Sequence, residues 1–105
     1  MTRTELFERI KERLAALYGS RFKGLVLYGS AARGDAAEDS DIDLLCLLQD
    51  PVNPYQEVRP IVEATSQIRR DYAAHAVSIR AVSIQEYERG AYPLVIEAKR
   101  EGIPV

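Results

Sequence analysis

The chain has no tryptophan, one cysteine, one histidine and no long hydrophobic run. A lone Cys46 excludes an intramolecular disulfide and is expected to be a buried strand thiol in a reducing compartment. His75 has no second ligand or candidate nucleophile beside it in sequence, which leaves it a structural or surface role. No stretch approaches the roughly 18 apolar residues of a membrane helix. Met1 to Arg13 mixes charged with apolar positions instead of forming a cleavable leader, so a cytoplasmic location is expected, with no membrane partner. A cationic surplus is also missing: 14 Lys and Arg stand against 16 Asp and Glu, a net charge of -2. General nucleic-acid binding depends on such a surplus gathered on one face, so it is not expected.

What is present fits one domain over residues 1–105, without room for a separate substrate-binding domain. Leu6, Phe7, Ile10, Leu14 and Leu17 recur at helical spacing and predict an amphipathic helix from Thr4 to Tyr18, stopped by Gly19. Phe22 to Tyr28 reads as a buried strand running into a tight turn at Gly29-Ser30, with a short helix over Ser30 to Arg33. Ile42 to Leu48 reads as a second buried strand. Asp50 to Pro54 reads as a loop, and Pro60 is placed in the first turn of the helix that carries Ile61, Ala64, Ile68 and Tyr72. Alternation predicts a third strand from Ala76 to Val82, followed by a short helix capped at Ser83 and ended at Gly90. Pro93 opens a last helix carrying Leu94, Ile96 and Ala98, before Gly102 and Pro104. The fold class is therefore α/β of the α+β type, a small mixed sheet with helices packed on one face.

One segment carries chemistry. From Gly34 to Val58 there is no Lys or Arg, and seven acidic residues fall inside it, including Asp41 and Asp43. Two residues apart on a strand, those two carboxylates leave the same face while Ile42 points inward. Taken alone, such a pair at a strand edge is usually solvated charge. At the sheet's rim beside a phosphate-binding turn it usually needs a cation, and Mg²⁺ suits it because magnesium combines a few carboxylates with water and substrate phosphates. Upstream, Gly29 permits a sharp turn whose free N–H groups, with the Ser30 hydroxyl, suit phosphate oxygens. Arg33 either lies along those phosphates or pairs with Asp35 or Asp39. The tyrosines are read as packing residues.

Gly29-Ser30, ten intervening residues, then Asp41-Ile42-Asp43 resembles the signature of the polymerase-beta-like nucleotidyltransferase superfamily. Ala32-Arg33-Gly34 and Ser40 are most similar to its smallest branch, the minimal nucleotidyltransferases. The resemblance implies Gly29, Ser30 and Arg33 as nucleotide-binding residues, Asp41 and Asp43 as catalytic metal ligands, and ATP with Mg²⁺ as substrate and cofactor. It further implies transfer of a nucleoside monophosphate, AMP first, to a protein hydroxyl. In that context the chain is an antitoxin whose partner is a small helical HEPN-type toxin, and a homodimer is left open.

The sequence departs from that pattern in one place. Members of the superfamily carry a third carboxylate on a neighbouring strand, whereas Ala76 to Val82 has none. Alternation instead turns Ser78 and Arg80 toward the face of Asp41 and Asp43. Asp71, Glu86 and Glu88 are the nearest acids in sequence. The alternative function is thus a catalytically degenerate module of the same fold that binds and regulates a partner protein. An aminoglycoside-type transferase is disfavoured by the missing acceptor domain.

Overall fold

The computed structural model describes residues 1–33, 41–72 and 76–105, with the backbone alone for Ser30 and Arg33. Helix α1 (Arg3–Tyr18) begins one residue earlier than its periodicity predicts because Thr2 caps it. The Glu5 N–H donates to Thr2 Oγ1 at 3.1 Å, and the Glu5 carboxylate accepts from the Thr2 N–H. Gly19, at φ 59°, ends the helix with a positive φ that glycine adopts readily. A single 3-10 turn then leads into strand β1 (Phe22–Tyr28), followed by helix α2 (Ser30–Arg33) and strand β2 (Ile42–Leu48), all with the expected bounds.

Helix α3 (Pro54–Asp71) departs from expectation. Pro54, assigned to the loop from sequence, occupies the first helical turn, where its fixed φ suits the position and the missing N–H costs nothing. The Asn53 side chain caps it by accepting from the Tyr55 N–H at 3.1 Å. Pro60 therefore lies inside the helix and not in its first turn. It leaves the carbonyl of Gln56, on the exposed side, without a helical donor. Strand β3 (Val77–Ser83), helix α4 (Ile84–Arg89) and helix α5 (Pro93–Glu101) follow as the sequence suggests, within one residue for β3. Ser83 accepts from the Glu86 N–H at 3.2 Å and Gly90 ends α4. A two-residue strand β4 (Ile103–Pro104) was not expected; it pairs with β1.

The sheet order is β3-β2-β1-β4, with β2 and β3 parallel and the other pairs antiparallel. β2 is shared between two cores. Ile42, Leu44, Cys46 and Leu48 face Leu6, Ile10 and Leu14 of α1 and Ile61 and Ile68 of α3. Leu45 and Leu47 join Val26, Val82, Val95 and Ala98 on the other face, under α4 and α5. The two long helices thus occupy one face, and two short ones close part of the opposite face. Leu17 and Ile96, expected within apolar stripes, are 40% and 49% exposed, while Thr65 and Val95 are buried in their helices. Thr65 is tolerated because its hydroxyl donates to the Ile61 carbonyl at 2.7 Å. Among the described residues no helix is long and apolar enough to cross a membrane.

Candidate active site

The site begins where β1 ends. Gly29 has φ +76°, a conformation that side-chain-bearing residues rarely adopt, and it turns the chain directly into α2. A β-carbon built on Gly29 would stand 2.9 Å from Asp43 Oδ2. Glycine therefore lets this turn lie against that carboxylate without displacing it. The cause is the sheet register, in which Tyr28 pairs with Asp43 across the antiparallel β1–β2 ladder.

Asp41 and Asp43 flank Ile42, which is fully buried and anchors the start of β2. Asp41 is exposed, just ahead of the strand, and Asp43 is half-buried. The parallel β2–β3 register places Ser78 beside Asp43 and Arg80 beside Leu45. Residues in register share a face and lie about 4.8 Å apart, so a hydroxyl is the immediate neighbour of Asp43 on β3, with a guanidinium one face position further along. Val77 and Ala81 point the other way, into the core under α1 and α3.

Charges on this face are felt by the tyrosines that border it. Burial raises the Tyr28 phenol above its ordinary pKa; the Asp43 charge adds to the rise and Arg80 opposes it. Tyr92 is raised by burial and by Glu86, again opposed by Arg80. The sequence suggests packing alone for Tyr28, and its ring does pack against the second core. Its last-in-strand position next to Gly29 was the signal that it borders the site.

The three other acids are accounted for separately. Asp71 pairs with Arg9 at 3.0 Å and accepts from Gln67, on the outside of α1 and α3. Glu86 lines a cleft with Arg80 and Tyr92, and Glu88 is exposed. Among the described residues no group of three or more His, Cys, Asp and Glu side chains converges. Gly29, Asp41, Asp43 and Ser78 are thus placed around one end of the sheet, with Arg80 further along, at the middle of β3. The side chains of Ser30 and Arg33, the proposed partners Asp35 and Asp39, and His75 lie outside what the structure describes.

The donor set fits a hard cation. Two carboxylates at the rim of the sheet, one of them held against a glycine turn, offer only oxygen ligands and leave open positions for water and phosphate. Among the described residues, Asp41 and Asp43 are the side chains that would hold magnesium.

Residues 7–92 match the family model described as "Nucleotidyltransferase domain". A relative from Methanocaldococcus jannaschii, named Putative protein adenylyltransferase MJ0141, is 28% identical over 68 residues, covering 65% of this chain and 68% of that protein. The fold is similar to the crystal structure of a protein described as a putative nucleotidyltransferase from Sulfolobus solfataricus. The TM-score is 0.58 at 19% identity, over 96% of this chain and 79% of that one. It is also similar to a crystal structure of a toxin-antitoxin with AMP-PNP, with a TM-score of 0.53 at 16% identity, over 90% of this chain and 70% of that one. With the family model spanning most of its length, this chain belongs to the nucleotidyltransferase domain family.

Proposed function

We propose that this chain transfers AMP from ATP to a protein hydroxyl, as the antitoxin of a pair whose small helical HEPN-type toxin is both acceptor and partner. The observation that carries the reading is the contact of the Gly29 turn with the Asp43 carboxylate, which joins a phosphate cradle to a metal ligand. Further support comes from the adenylyltransferase name of the archaeal relative and the toxin-antitoxin context of the AMP-PNP structure.

In this reading Gly29 and Ser30 receive the outgoing phosphates, and Asp41 and Asp43 would hold magnesium beside the triphosphate, oriented for in-line attack. When bound there, magnesium would supply charge neutralisation along the triphosphate. The acceptor oxygen bonds to the α-phosphorus as its bond to the bridging oxygen breaks. Pyrophosphate leaves, and the hydroxyl proton passes to solvent.

Ser78, a hydroxyl beside Asp43, favours a second reading, a catalytically degenerate module that regulates its partner by contact. Co-expression with the product of the adjacent gene, followed by intact mass, separates the two. An added AMP that disappears in Asp41→Ala/Asp43→Ala supports transfer, and a stable complex without added mass supports the second reading.

A further inference from the structure

Along the outer edge of β3 runs a groove whose two parts, about 610 and 280 Å³, share Pro54, Val58, Arg80 and Ala81. Its α3 wall carries an apolar stripe that, among the described residues, belongs to neither core: Tyr55, Val58 and Val62 are 90%, 56% and 43% exposed. Spaced three and four residues apart, they project from one side of the helix.

The floor of the groove is a strand edge. β3 is terminal in the sheet, and the Ile42 N–H donates to the Ala76 carbonyl at 2.9 Å, so the backbone groups of residues 76, 78, 80 and 82 face β2. Those of Val77, Ile79 and Ala81 face outward. Arg69 donates to the Val77 carbonyl at 2.8 Å. Among the described residues nothing is bonded to the N–H and C=O groups of Ile79 and Ala81. An edge of this kind is a template for another strand unless it is covered.

Charge selects the occupant. In this acidic chain the narrower part of the groove is lined, among the described residues, by two guanidiniums, Arg69 and Arg80, and by no carboxylate, while Glu86 lies beside Arg80 in the wider part. A second copy pairing through β3 would bring Arg80 against the same cationic lining, and like charges on facing strands are destabilising. An extended segment with carboxylates opposite Arg80 and apolar side chains against Val58 and Val62 complements both features. We propose that this groove binds such an acidic, apolar segment of another protein as a fifth strand of the sheet. The site lies on the side of β3 away from β2, so it needs neither nucleotide nor magnesium.

The test uses a short, end-capped synthetic peptide in which glutamate alternates with valine, and a twin with lysine for glutamate, without ATP or magnesium. Amide hydrogen exchange is followed residue by residue. The glutamate peptide is expected to slow exchange at Ile79 and Ala81 by about tenfold or more, with Arg80 and Val82 amides unchanged and the lysine peptide much weaker. Arg80→Glu should reverse the preference. The proposal is overturned if neither peptide protects these amides, if both protect equally, or if Arg80→Glu leaves the preference unchanged. Protection that rises with protein concentration alone would overturn it in favour of a second copy. None of these outcomes bears on AMP transfer, which is read by mass in the presence of ATP.

Discussion

Gly29 and Asp43, fourteen positions apart in sequence, lie so close that the position a β-carbon would take on the glycine is 2.9 Å from Asp43 Oδ2. The contact couples backbone conformation to carboxylate position. Gly29→Ala should cost about 1–2 kcal/mol for the left-handed conformation, read by urea unfolding. Because the clashing atom ends a flexible side chain, Asp43 should swing away, and magnesium-dependent ATP binding should weaken more than the stability loss explains. Unchanged binding in a folded Gly29→Ala variant would separate the turn from the metal site.

Gly102 makes the opposite case. Its φ of -73° is ordinary, yet a β-carbon there would clash with the Ala98 carbonyl oxygen and stand 2.7 Å from Val26 Cγ1. Backbone cannot yield as a carboxylate can. Gly102→Ala should lower stability by about 1–3 kcal/mol while leaving ATP affinity of the folded fraction intact, as paired denaturation and calorimetry would show.

Asp41→Ala/Asp43→Ala should remove the magnesium-dependent part of ATP binding, a loss of about tenfold or more by calorimetry. Ser30→Ala should weaken triphosphate more than monophosphate, since its assigned contact is with the departing phosphates. Equal effects on both nucleotides would remove Ser30 from that role.

The β2–β3 register distinguishes two gain-of-function variants that alternation alone treats alike. Ser78→Asp puts a third carboxylate directly beside Asp43, whereas Arg80→Asp puts it beside Leu45. Without metal the clustered charges of Ser78→Asp should lower the melting temperature, and magnesium should restore it. Arg80→Asp should show a smaller magnesium response. The reverse ranking in a thermal-shift titration would contradict this placement.

Alkaline pH should destabilise the fold. Burial pushes the Cys46 thiol up to about 12, with Glu57 contributing, and also raises Tyr18, Tyr28, Tyr87 and Tyr92. Tyr18 is held further by donating its hydroxyl to Glu57 Oε1 at 2.9 Å. Each raised group keeps its proton when folded after the unfolded chain has released it. Stability is therefore intact below about pH 9 and falls as pH rises from there through the folded pKa values. Urea midpoints between neutral pH and pH 11 should decline, and a flat profile would mean these groups are not protected.

Local patterns carried most of the fold. β1, α2 and β2 have the bounds that apolar runs and turn residues imply, because nothing beyond neighbouring residues decides them. Pro60 misled because proline favours a helix start, but Asn53 and Pro54 supplied a better one upstream. β4 was illegible, since two residues hold no period and pair only because β1 has a free edge there. The candidate site divides in the same way. The order of Gly29, Ser30, Asp41 and Asp43 can be read along the chain, but the approach of Gly29 to Asp43 and the pairing of Ser78 with Asp43 are cross-strand facts. The groove beside β3 needed the packing of α3 against a sheet edge, which no spacing reports.

β2 forms a wall of both cores, with Ile42 and Leu44 fully buried on either side of Asp43. The backbone beneath this carboxylate can open only when both cores come apart. Its amides should therefore exchange by whole-molecule unfolding, and any ion gripped by Asp43 should slow exchange across the entire sheet and not just at the rim. An ion at this one carboxylate would thus act as a tether for the whole domain.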